Sequence, residues 1–82
     1  MNPTLEKVIE IAALEFETPP SNLSGASTPE DVKGWDSEAQ IRLAMALEHQ
    51  FGISFDIEEF EGIRTLAGVA NLVARKARQQ SP

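Results

Sequence analysis

Apolar residues recur at helical spacing in three long stretches of the chain, and each stretch is bounded by residues that start or stop a helix. In the first, Leu5, Val8, Ile9, Ala12 and Phe16 share one face, while Glu6, Lys7, Glu10 and Glu17 fall mostly elsewhere on the wheel. Ile11 widens that stripe, and Leu14 falls on the opposite side. Asn2 can cap this helix, and Pro3 suits its first position, where the missing N–H would be unpaired anyway. Thr18-Pro19-Pro20 ends it, because a residue before proline is pushed out of the α region.

The second stretch runs from Ser37 to Phe51. Asp36 is its N-cap and Gly52 its left-handed stop. Leu43, Ala44, Leu47 and Phe51 form one stripe. Ser37, Ile41 and Met45, at successive four-residue steps, form another. On periodicity alone both faces read as core, with the helix lodged between two neighbours. The alternative is an exposed apolar grip beside Ser37. The third stretch follows Thr65 as N-cap and buries Leu66, Val69, Ala70 and Val73, with Leu72 and Ala77 on its flanks.

Between these lie two connections of different kinds. Thr18 to Trp35 is a loop longer than compact domains usually carry without a purpose, and Pro19, Pro20, Gly25, Pro29 and Gly34 forbid a long helix in it. Leu23, Val32 and Trp35 are spaced as anchors, and Ser27 to Asp31 has the composition of a single helical turn. Ile53-Ser54-Phe55 is a short extended connector. Asp56 then opens a brief acidic helix to about Glu61, with Glu59 placed for a capping box; its charges read as a solvated face. With no strand pattern or repeat, the fold class is all-α: a small bundle of three main helices plus one short helix. A single domain spans 1–82, ordered over about 3–78 with a frayed tail at 79–82.

Composition narrows the function. A formal net charge of -6 argues against nucleic acid and fits partners with basic patches. The chain has no cysteine, hence no thiol of its own and no zinc site of the usual kind. The N-terminus has no basic segment followed by an apolar run, and no stretch reaches membrane-spanning length, so the expected location is cytoplasmic, without membrane insertion.

Catalytic constellations are missing. His49 stands twelve residues from Ser37 on the same helix, roughly 18 Å away at about 1.5 Å per residue, which excludes a Ser-His pair there. The acidic run lacks the spacing of a calcium loop, and the glycines are isolated, so neither a metal nor a phosphate loop is expected. The chain reads as a non-enzyme. What stands out is Gly34-Trp35-Asp36-Ser37: a tight turn, an apolar anchor, a cap, and a hydroxyl among unpaired N–H groups at a positive helix end. That is a favourable place for a phosphate ester.

Gly34-Trp35-Asp36-Ser37, followed by an apolar helix through Met45-Ala46-Leu47-Glu48 to Phe51-Gly52-Ile53, and then Thr65, resembles the acyl carrier proteins over nearly the whole chain. The resemblance implies a carrier domain in which Ser37 receives 4′-phosphopantetheine from coenzyme A through a separate phosphopantetheinyl transferase. The cofactor's thiol would hold acyl thioesters for fatty acid, polyketide or related specialised biosynthesis. Asp36 matches the acidic residue before the serine. Ile41, Met45 and Glu48 match positions that contact partners, and Leu43, Leu47, Phe51 and Val69 match core positions that can line an acyl pocket. Two features depart from the family: Glu38 stands where leucine is usual after the serine, and Arg42 where an acidic residue is common, with His49 weakening the same acidic face. They imply a specialised carrier whose acyl-loading and acyl-processing enzymes are its own; the chain is expected to be a monomer. Gly-Trp before Asp-Ser also favours an acyl load over an aminoacyl one. The rival from another class is a small helical protein–protein interaction module, or an unmodified carrier-like protein, in which Ser37 is an ordinary helix-start serine.

Overall fold

The computed structural model describes residues 2–79, so residues 80–82 of the expected tail lie outside the described part. The helices are α1 (Pro3–Phe16), α2 (Ser37–Phe51), α3 (Ile57–Glu61) and α4 (Leu66–Gln79), with a 3-10 turn at Pro20–Asn22 that the prolines did not announce. Asn2 caps α1 as expected, its Oδ1 accepting from Thr4 and Leu5 N–H at 3.1 and 3.2 Å. The other end differs from expectation, because the stop is made before the prolines. Glu17 turns left-handed (φ 53°), so that Thr18 N–H reaches Ala13 O at 3.0 Å and Glu17 N–H reaches Leu14 O. A residue with a side chain pays for this conformation by roughly 1–2 kcal/mol, offset here by two satisfied carbonyls.

α1 and α4 pack on one another, and α2 packs on both. That arrangement buries more than one stripe per helix. Leu72, expected on a flank of α4, is 1% exposed, and Ala13 joins Val8, Ile11, Ala12 and Phe16 in the core. α2 shows the opposite. Leu43 and Leu47 are fully buried together with Ala39, but Ala44 and Phe51 are only partly so, and Ile41 and Met45 are 51% and 56% exposed. The expectation that both faces of α2 are core is therefore overturned: the short α3 leaves the Ser37–Ile41–Met45 face uncovered. Nothing in the structure explains Leu14, which is 78% exposed.

The long loop is pinned by Leu23, Val32 and Trp35, all buried as expected. Ser27 to Asp31 forms one turn closed on Thr28, whose carbonyl accepts from Asp31 and Val32 N–H. The loop also finishes α4 from a distance. Leu66 and Ala67 donate their N–H groups to Ser27 O (3.3 Å) and Gly25 O (2.9 Å), while Thr65 Oγ1 accepts from Gly68 N–H at 3.0 Å. These bonds satisfy first-turn donors that would otherwise need water.

Candidate functional site

Trp35 is where the loop meets the bundle. Its ring is 4% exposed and stacks on Phe16 with centroids 5.1 Å apart and planes 21° from parallel. Just before it, Gly34 lies so close to the end of α1 that an added Cβ would sit 2.2 Å from Phe16 O. Trp35 Nε1–H donates to Gln40 Oε1 at 3.1 Å, tying the loop to the first turn of α2. Asp36 follows as the N-cap, with Oδ1 accepting from Ala39 N–H at 2.8 Å.

Ser37 is then the first residue of α2, and it is exposed. Among the described residues nothing accepts from Ser37 or Glu38 N–H. The hydroxyl therefore stands beside free donors at the positive end of a 15-residue helix, and a phosphodiester fits that surrounding.

Ser37 also lines a cleft of about 580 Å3. The loop contributes Pro29, Trp35 and Asp36. α2 contributes Ser37, Gln40, Ile41, Ala44, Met45 and Glu48, and the far wall is Phe55, Phe60 and Glu61. That wall is held in three ways. Phe60 is buried and lies 5.3 Å from the Phe55 ring. Glu48 Oε2 accepts Phe55 N–H at 2.7 Å. Glu59 Oε1 accepts Asp56 N–H at 3.0 Å, the reach-back expected of a capping box, and pairs with Lys76 Nζ at 2.7 Å. The Lys76 bond first, and the Asp56 N–H second, hold the Glu59 carboxyl below its ordinary value. Glu59 is thus a brace between α3 and α4, a role that the reading of a solvated acidic face does not contain.

Of the residues singled out in the sequence, Asp36, Ser37, Ile41, Met45 and Glu48 come together along this cleft. Glu38 and Arg42 do not line it. Arg42 crosses to α1, 3.5 Å from the Glu15 carboxylate and bonded to Glu15 O, and also pairs with Glu38 one turn back at 3.4 Å. The expected acyl-pocket positions are elsewhere: Leu43, Leu47 and Val69 are sealed in the core at 0% exposure, and neither they nor Phe51 lines the cleft. Sequence reasoning passed over Gln40, Phe55 and Phe60 as site residues and placed Ala44 on the core stripe. For Gln40 the signal was its place one turn after Ser37. For the two phenylalanines no local signal exists, since α3 is placed by tertiary contacts. His49 is exposed at the far end of α2, and the described residues contain no acidic, histidine or cysteine group able to hold a metal. No helix among them is long and apolar enough to cross a membrane.

Comparison with known proteins gives a consistent answer. The family model described as "Phosphopantetheine attachment site" matches residues 6–73. The chain is 36% identical over 73 residues to an acyl carrier protein of Thermosynechococcus vestitus, covering 88% of this chain and 89% of that protein. Its fold matches the solution structure of a holo acyl carrier protein from Geobacter metallireducens with a TM-score of 0.84 at 26% identity, over 95% of this chain and 90% of the other. The chain thus belongs to the acyl carrier proteins, helical carrier domains that bear a covalently attached 4′-phosphopantetheine and are not themselves enzymes.

Proposed function

We propose that Ser37 is the attachment residue and that the chain shuttles acyl thioesters between enzymes of fatty acid, polyketide or related specialised biosynthesis. The observation that carries this is the placement of an exposed hydroxyl at the first residue of α2, beside free N–H groups and on the edge of the cleft. In the transfer, a bond forms from Ser37 Oγ to the phosphorus bearing the pantetheine as the bond to the adenosine bisphosphate of coenzyme A breaks. The serine proton leaves to a base on the transferase. Asp36 fixes the helix start, and the arm supplies the thiol that the cysteine-free chain lacks.

Partners approach the face of α2 that Ile41 and Met45 leave open, with Glu38 and Glu48 adding negative charge and Arg42 partly offsetting it. We read the chain as working as a cytoplasmic monomer, where coenzyme A and the consuming enzymes are. The side chain of Glu38 is 87% exposed directly beside Ser37, which favours a transferase adapted to a charge at that position.

Intact-protein mass spectrometry after incubation with coenzyme A and a broad-specificity transferase tests this. The expected result is a gain of one phosphopantetheine mapped to Ser37 and none in Ser37→Ala, with circular dichroism unchanged. Gain in Ser37→Ala overturns the assignment. No gain in folded wild type or in Glu38→Leu favours the interaction module.

A further inference from the structure

Trp35 and Gln40 form a pair whose chemistry has a directional consequence. An indole N–H only donates, so the Gln40 amide must turn its oxygen toward Trp35 to make the 3.1 Å bond. The orientation of the amide is thereby fixed, and its Nε2 group, with two donors, faces away from Trp35. Among the described residues no acceptor meets those donors, yet no fully buried side-chain nitrogen or oxygen is left without a partner. Nε2 is therefore reachable, and Gln40 lines the cleft beside Ser37. The two residues are one turn apart on one face of α2, with about 4.5 Å of helix rise between them. The cleft offers carboxylates at Asp36, Glu48 and Glu61 but, among its lining residues, no other side-chain amide and no cation. Gln40 is its one strong side-chain donor for a neutral carbonyl.

We propose that Gln40, aimed by Trp35, donates a hydrogen bond to the first amide carbonyl of the phosphopantetheine arm and so lays the arm into the cleft. This rests on attachment at Ser37. The carbonyl stands only a few bonds beyond the phosphorus, within reach of a side chain one turn along, and Ile41 and Ala44 in the cleft lining offer an apolar surface for the gem-dimethyl group before it. Gln40 is a positioning residue: it directs the arm along α2 and takes no part in forming the ester.

Two variants separate its roles. Gln40→Glu keeps an oxygen for Trp35 Nε1–H but removes both donors; Gln40→Asn keeps the donors on a shorter stem. The full-length protein, labelled with 15N and 13C, is converted from apo to holo with coenzyme A and transferase, and conversion is confirmed by mass. In wild type the Gln40 side-chain amide resonances should shift downfield on conversion, and nuclear Overhauser contacts should join the gem-dimethyl protons to Ile41. In Gln40→Glu those contacts should be lost while the Trp35 indole resonance stays in place. A complete gain of mass with no shift at Gln40, or unchanged contacts in Gln40→Glu, overturns the proposal. If Gln40→Glu fails to fold, the wild-type shift decides, and in Gln40→Asn, where the shorter stem draws the amide back, the gem-dimethyl contacts to Ile41 should weaken; unchanged contacts there overturn the proposal. Absence of the mass gain in both wild type and Glu38→Leu would instead count against attachment at Ser37 itself.

Discussion

Replacing Gly34 with alanine tests how the site is held against the bundle. A Cβ there would lie 2.2 Å from the backbone oxygen of Phe16, with Phe16 C and Cα at 3.1 and 3.3 Å. Real Cβ atoms essentially never come within 3.0 Å, so loop and helix end must part by about 0.8 Å. The obstacle is main chain and cannot rotate aside. Separation there also pulls Trp35 from its stack on Phe16. Overpacking costs about 1–3 kcal/mol, and an immovable obstacle puts this case in the upper half, at about 2–3. For a domain of this size that is a fall in Tm of roughly 10–20 °C. Urea unfolding followed by Trp35 fluorescence measures it, with Gly62→Ala as control. Gly62 has an ordinary right-handed backbone and nothing within 4 Å of an added Cβ, so that variant should be unchanged or more stable by about 0.4–1 kcal/mol. Because the strain falls three residues before Ser37, Gly34→Ala should also accept phosphopantetheine more slowly. A Gly34→Ala stability within about 0.5 kcal/mol of wild type, the range of neutral surface changes, would refute the close approach.

Other expectations follow from single contacts. Asp36→Ala loses the bond to Ala39 N–H and should cost about 1 kcal/mol in urea unfolding, with slower modification of Ser37; an unchanged midpoint would deny Asp36 its capping role. Glu38→Leu should raise the rate of modification by a general transferase, read by time-resolved mass spectrometry, whereas an equal rate would make Glu38 a tolerated surface residue. The Glu59 carboxyl titrates below its ordinary 4.5 in the folded chain, so its pairing stabilises above that value and is lost as pH falls through the lower folded one. Lys76→Met should therefore weaken the fold at neutral pH and flatten the loss of stability on the acid side of 4.5. A pH profile parallel to wild type would show that the brace contributes nothing.

The helix limits were readable because their causes are local: Asn2 before Pro3, Asp36 before Ser37, Gly52 after Phe51, and Thr65 before Leu66 act within a turn of themselves. The family was readable for a related reason, since Gly-Trp-Asp-Ser and the offsets after it are contiguous. Surfaces were harder. The Ile41–Met45 stripe has the period of a core face, and only the brevity of α3 leaves it open. Leu72 is buried because α4 touches two helices, a fact of assembly that one helix's pattern does not contain. The Glu48–Phe55 and Glu59–Lys76 bonds join residues 7 and 17 positions apart, and side chains so spaced give no signal until α3 has a place.

The backbone bonds from Leu66 and Ala67 to Ser27 and Gly25 make the loop and the start of α4 one cooperative unit. Lifting the loop exposes two helical amides, so their hydrogen-exchange rates report its opening without any label on the loop itself. Because the same loop carries Trp35 against α1 and delivers Ser37 to the surface, protection at Leu66 and Ala67 becomes a gauge, read at the start of α4, of how often the attachment site loses its support.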